Sequence, residues 1–118
     1  MNAVEFKHRT KQFGIRIVKL VEALPRSPTA SVVGRQLLRS GTSVGANYRA
    51  VCRAKSRADF IAKLGIVEEE ADESIYWLEL LVDGGIVLAS RTDAIEAEAN
   101  ELLAMTVASI KTMRARRQ

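Results

Sequence analysis

Six basic residues recur at short spacings along one stretch of this 118-residue sequence: Arg35, Arg39, Arg49, Arg53, Lys55 and Arg57. At 100° per residue, Arg35, Arg39, Arg49 and Arg53 share one side of a helix, and Lys55 and Arg57 carry the charge into the connection that follows. Guanidinium forks match phosphate oxygens, so such a ridge can hold a polyanion, RNA or DNA, through its backbone. The same stripe also fits a solvated helix face, or one that pairs with carboxylates.

Other chemistries find no constellation. Glu5-Phe6-Lys7-His8 has the Glu-x-x-His spacing of di-iron bundles, but those sites need two such motifs and further inward glutamates, and His8 is the one histidine of the chain. His8 is expected at the surface. The single cysteine, Cys52, lies among Arg49, Arg53 and Lys55 with no second cysteine or histidine to act as base, and its position at the edge of a core stripe favours packing. The glycines show neither a phosphate-loop lysine nor a preceding strand. The sequence predicts no catalytic residue, no metal site and no cofactor.

Four amphipathic segments must position the basic residues. The first carries Phe6, Phe13, Ile17, Val21 and Leu24 and stops at Leu24-Pro25-Arg26-Ser27-Pro28, where the residue before each proline is driven from helical dihedrals. Ser27 or Thr29 can cap the second, with Pro28 in its first turn. Its stripe is Ala30, Val33, Leu37, Gly41, Val44, Tyr48 and Val51, edged by Gly34, Gly41, Gly45 and Cys52. Small residues there let a neighbouring helix approach, although each interior glycine costs about 1 kcal/mol in helix propensity, and a kink or loop near Gly41 to Gly45 is the alternative. Ser56-Arg57-Ala58-Asp59 reads as a capping box opening the third helix, whose stripe is Phe60, Leu64, Val67, Ala71, Ile75, Leu78 and Val82 before Gly84-Gly85. Ser90-Arg91-Thr92-Asp93 repeats the pattern for the fourth, with Ile95, Ala99, Leu102, Ile110 and Met113. Short connections between long helices predict an all-α, antiparallel up-down four-helix bundle, one domain over residues 1–118.

Composition agrees with that frame. Apolar residues make up 47% of the chain, enough for an ordinary core. The N-terminus lacks the apolar run of a signal peptide and no stretch approaches the roughly 20 apolar residues that span a bilayer, so the sequence predicts a soluble cytoplasmic protein away from membranes. The net charge of +4 is unevenly spread: residues 1–57 hold twelve Lys and Arg against Glu5 and Glu22, and residues 58–118 hold six against twelve acids. A basic half joined to an acidic half points to a polyanion partner or to pairing of the halves within or between subunits.

The third helix adds a second candidate surface. Ile66, Trp77 and Leu80 fall opposite its core stripe among Glu69, Glu73 and Tyr76, and apolar anchors in a polar surround describe an interface. This predicts self-association of the acidic, apolar face with a basic surface of a neighbour, a heterologous contact that closes rings. Glu68, near the core side, is expected to need a basic or hydrogen-bonding partner from the first or second helix if buried.

Leu37 to Arg49 (LLRSGTSVGANYR) followed by SRADFIAKLGIVEEEADESIYWLELL resembles the bacterial four-helix bundle family first noted as products of intervening sequences in large-subunit ribosomal RNA genes, a fold shared by the accessory variability proteins of diversity-generating retroelements. Arg39, Ser43 and Asn47 carry its Arg-x-x-x-Ser-x-x-x-Asn pattern, and Ser56, Asp59 and Phe60 its Ser-x-x-[Asp/Glu]-Phe start of the third helix. The resemblance implies a homo-oligomeric ring, typically a pentamer, with a positive surface for nucleic acid and no enzymatic activity. Ala50 replaces the glutamate that many relatives carry three residues after the asparagine. The combined expectation is a non-enzymatic oligomer binding phosphates with little sequence preference, the charged segment Lys111 to Arg117 acting as a mobile supplement; the alternative is a protein-binding scaffold whose arginine face is used by subunits or a protein partner.

Overall fold

The computed structural model describes residues 2–116. Among them are four α-helices, α1 (Ala3–Glu22), α2 (Pro28–Val51), α3 (Arg57–Asp83) and α4 (Asp93–Ala115), with a short 3-10 turn at Ala89–Arg91 and no strand. Consecutive helices run antiparallel, α1 on α2, α2 on α3 and α3 on α4, while α1 and α4 meet over a shorter stretch. The result is an up-down bundle measuring 52 × 21 × 19 Å. Antiparallel order brings the start of α1, the α2–α3 connection and the end of α4 to one end of the bundle.

Local chemistry sets the helix boundaries. The Asn2 side chain accepts from the Glu5 N–H at 3.1 Å, and Ser27 accepts from the Ala30 N–H at 3.1 Å, which selects Ser27 over Thr29 as the cap of α2. Ser56 accepts from the Asp59 N–H at 3.0 Å, and the Asp59 carboxylate reaches back to the Lys55 N–H at 3.0 Å. The fourth capping pattern forms differently from its expectation. Ser90 is wound into the 3-10 turn, Thr92 takes the cap position, and its hydroxyl donates to the Ala89 carbonyl at 3.3 Å instead of capping α4. Gly85, at φ +74°, turns the chain out of α3 in a conformation that side-chain-bearing residues rarely adopt.

All seven stripe residues of α2 are buried, and the helix runs unbroken through Gly41 and Gly45. The reason is the proximity of α1. A Cβ at Gly41 would lie 2.8 Å from both Ile17 Cγ1 and Cγ2, and one at Gly45 would lie 3.2 Å from the Thr10 carbonyl oxygen. The hydroxyls of Thr42 and Ser43 donate to the Leu38 and Arg39 carbonyls (2.7 and 2.6 Å), so the polar residues of this stretch bond within the helix instead of breaking it. Toward α3, α2 makes a buried polar contact. The Ser40 and Ser74 hydroxyls meet at 3.0 Å in a fully buried contact with α3.

Along α3 and α4 the predicted stripes are buried except Phe60, Val82 and Met113, which are half-buried. Leu20 and Leu81, outside the predicted stripes, join the core, as do the buried hydroxyls of Thr10 and Thr106. Glu68 is half-buried and has no hydrogen-bond or ion-pair partner among the described residues, so the expected partner from α1 or α2 is not there; its remaining exposure to water removes the need for one.

Candidate nucleic-acid interface

The row of arginines on α2 divides into two parts. Arg35 is exposed, and its Nη1 donates to Ser31 Oγ at 2.9 Å, one turn earlier on the same helix. Arg39 is drawn across to α3, where its guanidinium pairs with Glu70 at 3.2 Å and with Glu73. The Trp77 indole N–H donates to the same Glu73 oxygen at 3.0 Å. Hydrogen bonding from Arg39 first, and from Trp77 second, holds the Glu73 carboxyl below the usual carboxylate range. Arg39 and Glu73, read from the sequence as members of two separate surfaces, are thus partners within one chain.

Arg49, Arg53 and Lys55 are exposed; Arg49 and Arg53 have no carboxylate partner among the described residues, and Lys55 attracts the Asp59 carboxylate without an ion pair. Arg57 Nη1 donates to the Arg116 carbonyl at 2.7 Å, tying the start of α3 to the end of α4, and has no carboxylate partner among the described residues. Beside this corner is a depression lined by Ala50, Arg53, Lys55, Asp59 and Lys63. Lys63 pairs with Asp59 at 2.6 Å, and that bond, followed by the Lys55 N–H, holds the Asp59 carboxyl below its ordinary value. Three cations against one carboxylate leave the depression electropositive. Ala50 occupies a wall of this notch, so an acid at that position would add a second carboxylate there.

The second candidate surface is less exposed than the wheel suggests. Ile66 (43%) and Tyr76 (54%) stand in solvent and Glu69 is exposed, whereas Trp77 and Leu80 pack against the core and Glu73 is half-buried. The Tyr76 and Trp77 rings meet edge-on at 4.9 Å. Ser74 meets Ser40 of α2, and Leu81, two turns further on, is buried as well, which widens the buried sector of α3 and brings Trp77 to its margin. The expectation that Trp77 and Leu80 face solvent is therefore corrected.

Two further placements differ from expectation. Cys52 is exposed at the C-cap of α2, where the helix ends. Lys111 and Arg114 belong to α4, which stays helical to Ala115, so the charged segment is an ordered helix end; Arg117 lies outside the described residues. His8 is exposed, as its reading predicts, and no cluster of potential metal ligands exists among the described residues. No helix there is long and apolar enough to cross a membrane.

Sequence reasoning missed two features. Arg9 of α1 makes a two-pronged contact with Glu98 of α4 (3.1 and 2.7 Å), adds Glu101 at 2.6 Å and touches Met105 Sδ at 3.4 Å. These carboxylates push the guanidinium pKa further above its already high value. The signal was available: Arg9 borders the Phe6–Phe13 stripe, and Glu98, Glu101 and Met105 repeat at helical spacing. The second feature is a cleft of about 850 Å³ at the basic end, floored by Tyr48, Val51, Phe60, Met105 and Met113. Burial, and then the neighbouring Cys52, push the Tyr48 hydroxyl up to about 12, so it stays protonated.

No curated protein matches the chain. Among solved structures it is similar to a protein of unknown function from the S23 ribosomal protein family of Bacteroides thetaiotaomicron, with 39% identity, a TM-score of 0.87, and coverage of 94% of this chain and 99% of that one. The sequence pattern described as 23S rRNA-intervening sequence protein matches residues 3–108, from the first turn of α1 well into α4. On that match the chain belongs to the 23S rRNA-intervening sequence protein family.

Proposed function

We propose that this protein is a non-enzymatic, self-associating four-helix bundle that binds nucleic acid by its phosphates at the corner where α2 meets α3. The observation that carries this reading is the electropositive notch of Arg53, Lys55 and Lys63, with a single carboxylate that is already engaged. Arg49 and Arg57 extend the charge on either side. The family description, which concerns 23S rRNA intervening sequences, makes RNA the first ligand to try. Counterion release makes phosphate binding fall steeply with salt, with a log–log slope of about −0.7 per phosphate contact on a single strand. The test is a titration of RNA and DNA oligonucleotides across salt concentrations: a slope near that expected for three to five contacts, about −2 to −4, supports the reading, and no binding at low salt overturns it.

A protein-binding scaffold is the second reading; the Arg39–Glu70–Glu73 cluster within the chain takes Arg39 out of the phosphate row. Self-association would use Ile66 and Tyr76, the exposed apolar residues of α3. Light-scattering mass of an Ile66→Asp, Tyr76→Asp variant tests this face; an oligomer mass that survives both changes rejects it.

A further inference from the structure

Phosphate contacts leave the apolar cleft at the basic end without a role. Its rim carries Lys55, Arg57 and Arg116, and among the described residues no aspartate or glutamate lines it. Lys55 also lines the basic notch, so notch and cleft are the two sides of the same α2–α3 connection. A ligand spanning both must be a polyanion that carries apolar groups along its length. A nucleic-acid strand has that construction: each phosphate is followed by a base whose faces are apolar and bind well against aromatic rings and thioethers. A single amphiphilic anion would satisfy the cleft and leave the notch unused.

We propose that the cleft receives one unpaired nucleobase from a strand whose phosphates lie across Arg53, Lys55 and Arg57. The protein then selects single-stranded ends, loops or bulges over continuous duplex, in which a base must first be unstacked at a cost. The proposal rests on the phosphate-binding reading and adds to it the form of nucleic acid. The Phe60 and Met113 side chains, both half-buried, supply the apolar surface, and an inserted base covers Cys52, which is exposed on the same cleft.

The single thiol makes the proposal measurable in the native chain. Three ligands are compared at low salt and saturating concentration: oligothymidylate, an abasic strand of the same length, and a blunt duplex. Each is followed by fluorescence anisotropy and by the rate at which N-ethylmaleimide modifies Cys52. The abasic strand and the duplex should bind through their phosphates and leave Cys52 reacting as in the free protein. Oligothymidylate should bind about tenfold more tightly than the abasic strand, the contribution expected of one stacked base, and slow the thiol reaction by about the same factor. Equal affinities and equal thiol rates for the base-bearing and abasic strands overturn the base site while leaving phosphate binding intact. Failure of every strand to bind overturns both. Ala108 is exposed on α4 and lines the cleft, so Ala108→Trp fills it without entering the core. This variant should reduce oligothymidylate to the affinity of the abasic strand with duplex binding unchanged; a preserved preference also overturns the proposal.

Discussion

Arg39 lies on α2 and Arg53 just past its end, and the fold treats these two members of the arginine row in opposite ways. Arg39 faces the acidic middle of α3 and is held by Glu70 and Glu73. Arg53 sits just before α3 begins, and the carboxylate that shares its notch, Asp59, is already committed to Lys63 and to the Lys55 N–H. The same residue type is a helix-to-helix strap at one position and an open charge at the other. Formal charge along a helix therefore predicts surface potential only after the facing helix is known.

The largest test of this contrast is charge reversal at each end. Arg53→Glu with Lys55→Glu should weaken oligonucleotide binding by at least about a hundredfold at low salt, because two phosphate contacts become repulsions. Arg39→Glu should change affinity by less than about threefold, since its charge is already compensated. Equal losses at the two ends would mean that the Glu70–Glu73 cluster does not quench Arg39. Circular dichroism of each variant separates lost binding from lost folding.

The next test adds an acid to the open end. Ala50→Glu places a second carboxylate in the notch beside Arg53 and Lys63 and should lower affinity by about five- to tenfold, with a shallower salt dependence. Affinity equal to that of the parent would show that phosphates do not enter the notch. Conversely, Glu70→Gln combined with Glu73→Gln releases Arg39 and should raise affinity by about two- to threefold by lengthening the positive surface. A loss of affinity would place the carboxylates themselves in the binding surface.

Much of this architecture was legible because it is periodic. The stripe from Ala30 to Val51, the Ser27 and Ser56 caps and the stops at Pro25, Pro28 and Gly85 are local decisions, written at fixed spacings. Gly41 and Gly45 were legible as close-approach residues beside a core stripe, with a kink as the alternative, and the nearness of Ile17 and Thr10 decides for close approach. What the chain could not display was which edge of each helix faces which neighbour. That choice turns Arg39 into the partner of Glu73, buries part of Trp77, and joins Arg9 to Glu98 across 89 positions. The cleft escaped for a related reason: Tyr48, Phe60 and Met113 come from three helices and share a surface only at the end of the bundle.

The smallest expected effect is the dependence on pH, and it tests the strap most directly. The Glu73 carboxyl, held low by Arg39 and then Trp77, stays charged below the ordinary value of about 4.3. A lowered carboxyl contributes stability that is fully present above its unfolded value and disappears as pH falls through the folded one. Asp59 behaves in the same sense through Lys63 and the Lys55 N–H. At the opposite end of the bundle Glu96 has the reverse sign, since burial, then Glu79, Asp93 and Asp83, raises its carboxyl. It takes up a proton earlier on acidification and relieves repulsion as it does so. Stability should accordingly be nearly flat from pH 8 to about 5 and fall below about 4, and oligonucleotide affinity at fixed salt should be flat over the same upper range because Arg39 remains strapped. Thermal melting of Glu73→Gln against the parent isolates the strap: the variant should be less stable at pH 7 and lose less on acidification, the two curves converging once the carboxyl is protonated in the folded state. Parallel curves would mean that the Glu73 carboxylate gains nothing from Arg39, and the contrast between the two ends of the arginine row would rest on Glu70 alone.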